Sequence, residues 1–215
     1  MPLPQQVLHV RNELENHLKK FDWSGLTNGR RNILETFLRL ATTEGYAAVT
    51  MRSLGKALNV KPPSIYSHFP YGRDEIVAEC LRWHYYNFGM AVLDAVSVTE
   101  STSEFLNALI SVHLTHQLTR PENALWDMLV ESDRVGNFLE EDTRKEVHYW
   151  IDLCVRLYEA VGHELNNQGD VKEKARMVMA LLDSSPFWAQ WDGKKERLEY
   201  FCSQTLKTAI SIFNM

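Results

Sequence analysis

Apolar residues recur along this chain at steps of three and four, beginning with Leu3, Val7, Val10, Leu14, Leu18 and Phe21. That spacing lays one apolar face along an α-helix and predicts an amphipathic first helix that ends near residues 22–25. Such a face packs against the rest of the protein or forms an arm that touches a partner. Ile33, Leu34, Phe37, Leu40 and Ala41 mark a second helix, with Asn28 placed to cap it and Gly45 to stop it. Thr50 then caps a short helix with Met51, Leu54 and Leu58 inward, and Asn59 marks a turn. Pro62 and Pro63 open the next helix, because a first turn has no use for the N–H that proline lacks.

After a turn at residues 70–72, a long helix starts near Arg73 and runs toward Val96. Further periodic stretches cover about residues 102–119, 122–135, 140–165, 171–184 and 194–213. Their breaks hold the Ser, Pro, Gly and Asn that end helices, including residues 166–169. The alternation that marks strands is almost absent, so the expected class is all-α. Neither an internal repeat nor a low-complexity tract is visible.

Composition narrows the classes. With 45% hydrophobic and 24% charged residues over 215 positions, the chain carries enough apolar material for a folded core. No run approaches the roughly 18 apolar residues of a membrane span, and the N-terminus lacks a signal-like core, so a cytoplasmic protein without a membrane partner is expected. Cys80, Cys154 and Cys202 stand far apart with no CxxC, which predicts reduced, buried thiols. The formal charge of −5 hides a polarity: residues 30–76 hold seven Lys/Arg against four acids, while the segment after them is strongly acidic. One modest basic segment is joined to an acidic body.

Within the basic segment, residues 50–69 have the outline of a helix-turn-helix, whose second helix enters the major groove while the first crosses the backbone. On the second helix Lys61, Pro62, Pro63, Ser64 and Ser67 fall outward and Ile65 and Phe69 inward. Small residues and prolines allow close approach to base edges, and pyrrolidine methylenes can meet a thymine methyl. Tyr66, His68 and Arg73 are candidate phosphate donors, with Thr50 at a helix start and Arg52 on the first helix.

These residues resemble the TetR, or tetracycline-repressor, family of transcriptional regulators. "ILETFLRLATTEGYAAVTMRSLGKALNV" followed by "SIYSHF" is similar to that family's first helix, Gly-Tyr stop, Thr cap, Leu-Gly-Lys-Ala helix and Tyr-x-His-Phe recognition helix. In "FPYGRDEI" Arg73 stands four residues after Phe69, where the family usually places a Lys at three. The resemblance implies three parts: an extra N-terminal helix over residues 1–27, a three-helix DNA-binding domain over 28–76, and a helical ligand-binding and dimerisation domain over 77–215. It also implies a homodimer on a palindromic double-stranded operator, paired through the last two long helices, where Val178, Leu182, Leu198, Phe201 and Thr205 are the candidate interface residues.

A small-molecule effector site within the helical body is likewise implied. The large rings with polar handles that could line it are Trp83, Tyr86, His113, His116, Trp126, Tyr149, Trp150 and Trp188, which lean toward a flat apolar or phenolic effector. His113 and His116, one helical turn apart, lack further metal ligands, so no metal or cofactor is expected. The motifs GxSxG, HExxH, GxGxxG and GxxxxGK[ST] are missing, so no enzymatic activity is expected. The expected function is a repressor released from its operator by an effector. The alternatives are an all-α carrier or enzyme, or a protein-binding adaptor, whose helix-turn-helix is structural.

Overall fold

The structure, a computed structural model, describes residues 3–21, 23–137, 139–166 and 168–215. Asp22, at the expected end of the first helix, and Asn167, in the expected 166–169 break, lie outside the described residues. The helices are α1 Gln5–Leu18, α2 Asn28–Glu44, α3 Met51–Leu58, α4 Pro62–Tyr66, α5 Arg73–Ser97, α6 Thr102–Thr119, α7 Pro121–Gly136, α8 Glu141–Leu165, α9 Val171–Asp183, α10 Ser185–Trp188 and α11 Lys195–Phe213. A 3-10 turn, Tyr46–Ala48, precedes α3, and the described residues contain no strand. Among the described residues no helix is long and apolar enough to cross a membrane.

The chain divides into two compact units. One comprises Phe21–Tyr86 and Pro121–Val147, and the other Met1–Lys20, Asn87–Arg120 and His148–Met215. In the first, here the helix-turn-helix unit, α2, α3 and α4 bury Ile33, Leu34, Phe37, Leu54 and Ile65 together, and α7 packs on α2. Helices α3 and α4, of eight and five residues, are too short to persist alone, so the shared burial holds them. Thr27, not Asn28, caps α2: it is extended and its side chain accepts the Arg30 N–H, which leaves Asn28 inside the first turn.

In the second unit, here the body, α6 packs on α9 and α11, while α8 contributes the buried Leu153, Leu157, Tyr158 and Val161. Helix α1 belongs to this body and is no free arm. Val7, Val10, Leu14 and Leu18 are buried. Gln6 donates to the Ala160 carbonyl at 3.1 Å, and Arg156 pairs with Glu13 at 2.6 Å. His17 stacks against Tyr149 and Trp150 with ring centroids 4.7 and 4.4 Å away. The four-residue α10, which the periodicity does not foretell, fills the break between α9 and α11.

Candidate nucleic-acid interface and regulatory body

The helix-turn-helix is built from local chemistry. Ser53 donates its N–H to Thr50 Oγ1 at 3.0 Å while Thr50 donates its N–H to Ser53 Oγ at 2.8 Å, a reciprocal capping box at the start of α3. Asn59 ends α3 in the left-handed conformation, at φ 55°. The Val60 N–H then donates to the Gly55 carbonyl at 2.9 Å. A Cβ at Gly55 would stand 2.9 Å from the Val60 carbonyl oxygen, so only glycine permits a turn this tight. Pro62 and Pro63 occupy the first turn of α4, with Lys61 as its N-cap.

Direction separates the residues of α4. Ile65 and the following Phe69 are fully buried, whereas Lys61, Pro63, Ser64, Tyr66 and Ser67 are exposed and Pro62 and His68 half-buried. Ser67 Oγ donates to the Ser64 carbonyl at 2.8 Å. Thr50 and Arg52 are exposed at the start of α3. Tyr71, which the sequence pattern does not single out, stands 86% exposed on the turn after α4, its N–H held by the Glu75 carboxylate at 2.9 Å. The signal for it in the sequence is the extra residue between Phe69 and Arg73.

Arg73 is placed differently from the sequence expectation. Its Nε donates to the Val49 carbonyl at 2.8 Å and its Nη2 to the Tyr46 carbonyl at 3.0 Å, with the guanidinium 4.1 Å from the Tyr46 ring centre. Tyr46 opens the 3-10 turn and Val49 follows it, and the Tyr46 carbonyl also accepts the Val49 N–H at 3.3 Å. Two of its five N–H groups are thereby used on carbonyls of the same unit.

The comparisons agree with this geometry. Residues 33–80 match the family model described as bacterial regulatory proteins, tetR family. The helix-turn-helix segment matches the TetR family model, and the fold over most of the chain is that of TetR-family structures. A tetR-family regulatory protein from Rhodococcus RHA1 superposes with a TM-score of 0.73 at 12% identity, over 87% of this chain and 97% of that one. The regulator PfmR from Thermus thermophilus gives 0.67 at 21% identity, over 83% and 97%. AibR, solved with isovaleryl coenzyme A and operator DNA, gives 0.68 at 17% identity, over 82% and 97%. No curated relative matches the chain in sequence.

Within each unit, the ring residues named from the sequence have local partners. In the helix-turn-helix unit Trp83 and Tyr86 gather around Trp23, at 6.4 and 6.2 Å, while Trp126 is wholly buried beside His84 at 6.3 Å. In the body, Tyr149 and Trp150 serve to seat α1. Trp188 donates its indole N–H to the Leu181 carbonyl at 2.9 Å and packs edge-on to Phe201, closing α10 onto α11. Each of these rings satisfies local packing, which a sequence list of aromatics cannot distinguish from lining a ligand.

His113 and His116 do come together. Both are buried, and both lie edge-on to Phe88, with centroids 5.4 and 5.3 Å away. His113 Nε2 is 2.8 Å from Asp183 Oδ1 and Nδ1 is 3.3 Å from the Tyr158 hydroxyl, which also lies 3.3 Å from the Leu109 carbonyl. The carboxylate takes the Nε2 proton, and the single phenolic proton serves Nδ1 or the carbonyl. Desolvation, with Arg120 second, pushes His116 down to about 4, so it stays neutral near pH 7. Burial holds the Cys154 thiol up at about 12, an inert thiol. Tyr158 and Asp183 come from α8 and α9, and no spacing in the sequence joins them to His113. Among the described residues no cluster of His, Cys, Asp and Glu could hold a metal ion.

Most of the expected interface stripe faces inward in the single chain. Val178, Leu182, Phe201 and Thr205 are buried within the single chain, and Leu198 is half-buried. Helices α6, α9 and α11 close on these side chains, so they are core. The outward faces of α9–α11 instead carry Met177, Phe187 and Tyr200, with Phe187 92% exposed.

Proposed function

We propose that this protein is a homodimeric TetR-family repressor that binds a palindromic operator and is released from it by a small apolar or aromatic effector. The observation that carries the DNA-binding part is the division of α4: Ile65 and Phe69 anchor it, and Lys61, Pro63, Ser64, Tyr66 and Ser67 share its exposed side. AibR, of similar fold, was solved on operator DNA together with an acyl coenzyme A. A single reading head with few cations binds weakly, so two heads about one helical turn, roughly 34 Å, apart are physically expected. Pairing would use the outward residues Met177, Phe187 and Tyr200, since the inward stripe is already covered.

The effector seat is proposed in the body around Phe88, His113 and His116, where a neutral imidazole gives an apolar wall a directional polar group. Release is then a population shift: the effector favours a helix arrangement that spaces the two heads wrongly. Selection from random duplexes, followed by titration over salt, tests the first half. A palindromic consensus with steep salt dependence is expected, and no enriched sequence at any salt would dismiss DNA reading. For the second half, small aromatics should raise the melting temperature and release the selected duplex. A library that does neither removes the sensor role.

A further inference from the structure

The helix-turn-helix unit contains two arginines that its basic charge invites one to assign to DNA, yet both guanidinium groups face the protein. Arg30 sits in the first turn of α2. Its Nη1 donates to the His68 carbonyl at 2.8 Å, its Nη2 lies 3.5 Å from the Glu79 carboxylate, and its Cζ stands 4.4 Å from the Phe69 ring centre. It therefore ties α2 to the end of α4 and to α5. Gly29, just before it, lies directly under the His68 ring, where a Cβ would be 2.8 Å from two ring atoms. Arg73 does the same for the entry to α3, holding the carbonyls of Tyr46 and Val49 immediately before the Thr50 cap.

These braces matter because α4 has only five residues, of which Ile65 alone is buried. A helix that short has no cooperative stability of its own, so its direction depends on what grips its ends. Arginine suits the task, since its planar fork reaches two acceptors in fixed directions and stacks on a ring, which a lysine ammonium cannot do together.

We infer that Arg30 and Arg73 are positioning residues for sequence reading: they fix α4 and the entry to α3 from the protein side and make no phosphate contact. This rests on the DNA-binding reading above. Phosphate neutralisation is then left to outward cations such as Arg52, Lys56 and Lys61, all exposed.

The test uses the full chain, its selected duplex, a random duplex and several salt concentrations. Arg30→Gln and Arg73→Gln should each lose about tenfold to a hundredfold on the selected duplex. Their random-duplex affinity and log–log salt slope should not change, and Arg30→Lys and Arg73→Lys should not rescue. Arg52→Gln, as comparator, should lower the slope by about one. A partly unfolded population would weaken both duplexes alike, so the ratio separates misplacement from simple instability.

A slope reduced by about one in an arginine variant, or rescue by lysine, would make that arginine a phosphate ligand and overturn the inference. An unchanged ratio would also overturn it. If the wild type selects no sequence, the functional reading fails separately, and amide exchange in DNA-free protein still decides the brace. Arg30→Gln should speed exchange at His68 and Phe69 but not at Leu54, and unchanged rates at the first two would sink it.

Discussion

His113 Nε2 lies 2.8 Å from Asp183 Oδ1 in the body of this protein, while its other ring nitrogen faces the Tyr158 hydroxyl at 3.3 Å. The contact joins α6, α8 and α9 by polar groups, with His113 and Tyr158 buried and Asp183 half-buried. His113→Leu takes the imidazole from the Asp183 carboxylate and leaves the Tyr158 hydroxyl only the Leu109 carbonyl, and is expected to cost about 1 kcal/mol. In a cycle with Tyr158→Phe, measured by urea unfolding, the two losses should fall short of additive by at least about 0.5 kcal/mol. Strict additivity would mean that the three groups do not act together.

His116 makes stability depend on pH. Burial opposes the charged imidazole, so its folded value of about 4 lies below the ordinary 6.5. The unfolded chain therefore binds the extra proton between these values, and stability falls as pH drops through that window. Lowering pH from 7.5 to 5 should remove about 2 kcal/mol at this site, since each tenfold rise in proton concentration within the window costs roughly 1.4 kcal/mol. His116→Gln should flatten the dependence of the unfolding midpoint, and an equally steep profile in the variant would assign the proton elsewhere.

Helix α1 should behave as core. Leu14 is fully buried, so Leu14→Ala is expected to cost about 3 kcal/mol in chemical unfolding. The Arg156 hydrogen bond holds the Glu13 carboxyl below its usual range, so that contribution is present at neutral pH and fades in acid. Glu13→Gln should remove this acid-range loss. A Leu14→Ala protein as stable as the parent would restore the reading of α1 as an arm.

On α4, Tyr66 and Ser64 should fail in different ways. Tyr66→Phe removes an exposed phenol and is expected to weaken binding about tenfold on every duplex alike. Ser64→Ala should relax preference at one base position, by about 1–3 kcal/mol, and spare random DNA. A competition assay over single-base variants of the selected site checks both. Loss of one base preference on Tyr66→Phe would move Tyr66 from backbone to base.

Much of the fold is legible because it is decided within a few residues. Thr50 is followed by Ser53 at capping distance, Asn59 can turn left-handed, and Pro62 and Pro63 suit a helix's first turn but not its interior, so α3, the turn and α4 follow from neighbours in sequence. Arg30 and Arg73 were illegible for the opposite reason. Their partners lie 38 residues away at His68, and 24 and 27 residues away at Val49 and Tyr46, distances at which no helical period operates. Counted as charges they enlarged the basic segment, although both are turned inward.

Sequence alone determined the all-α class, the Thr50 cap of α3 and the inward pair Ile65 and Phe69, since periodicity and capping act along the chain. Only the tertiary structure decided that Tyr149 and Trp150 seat α1, that Asp183 meets His113, and that Val178 and Phe201 are core within one chain. An amphipathic stripe records that a face must be covered. It does not record by what, because apolar burial has no direction and any complementary surface can provide it.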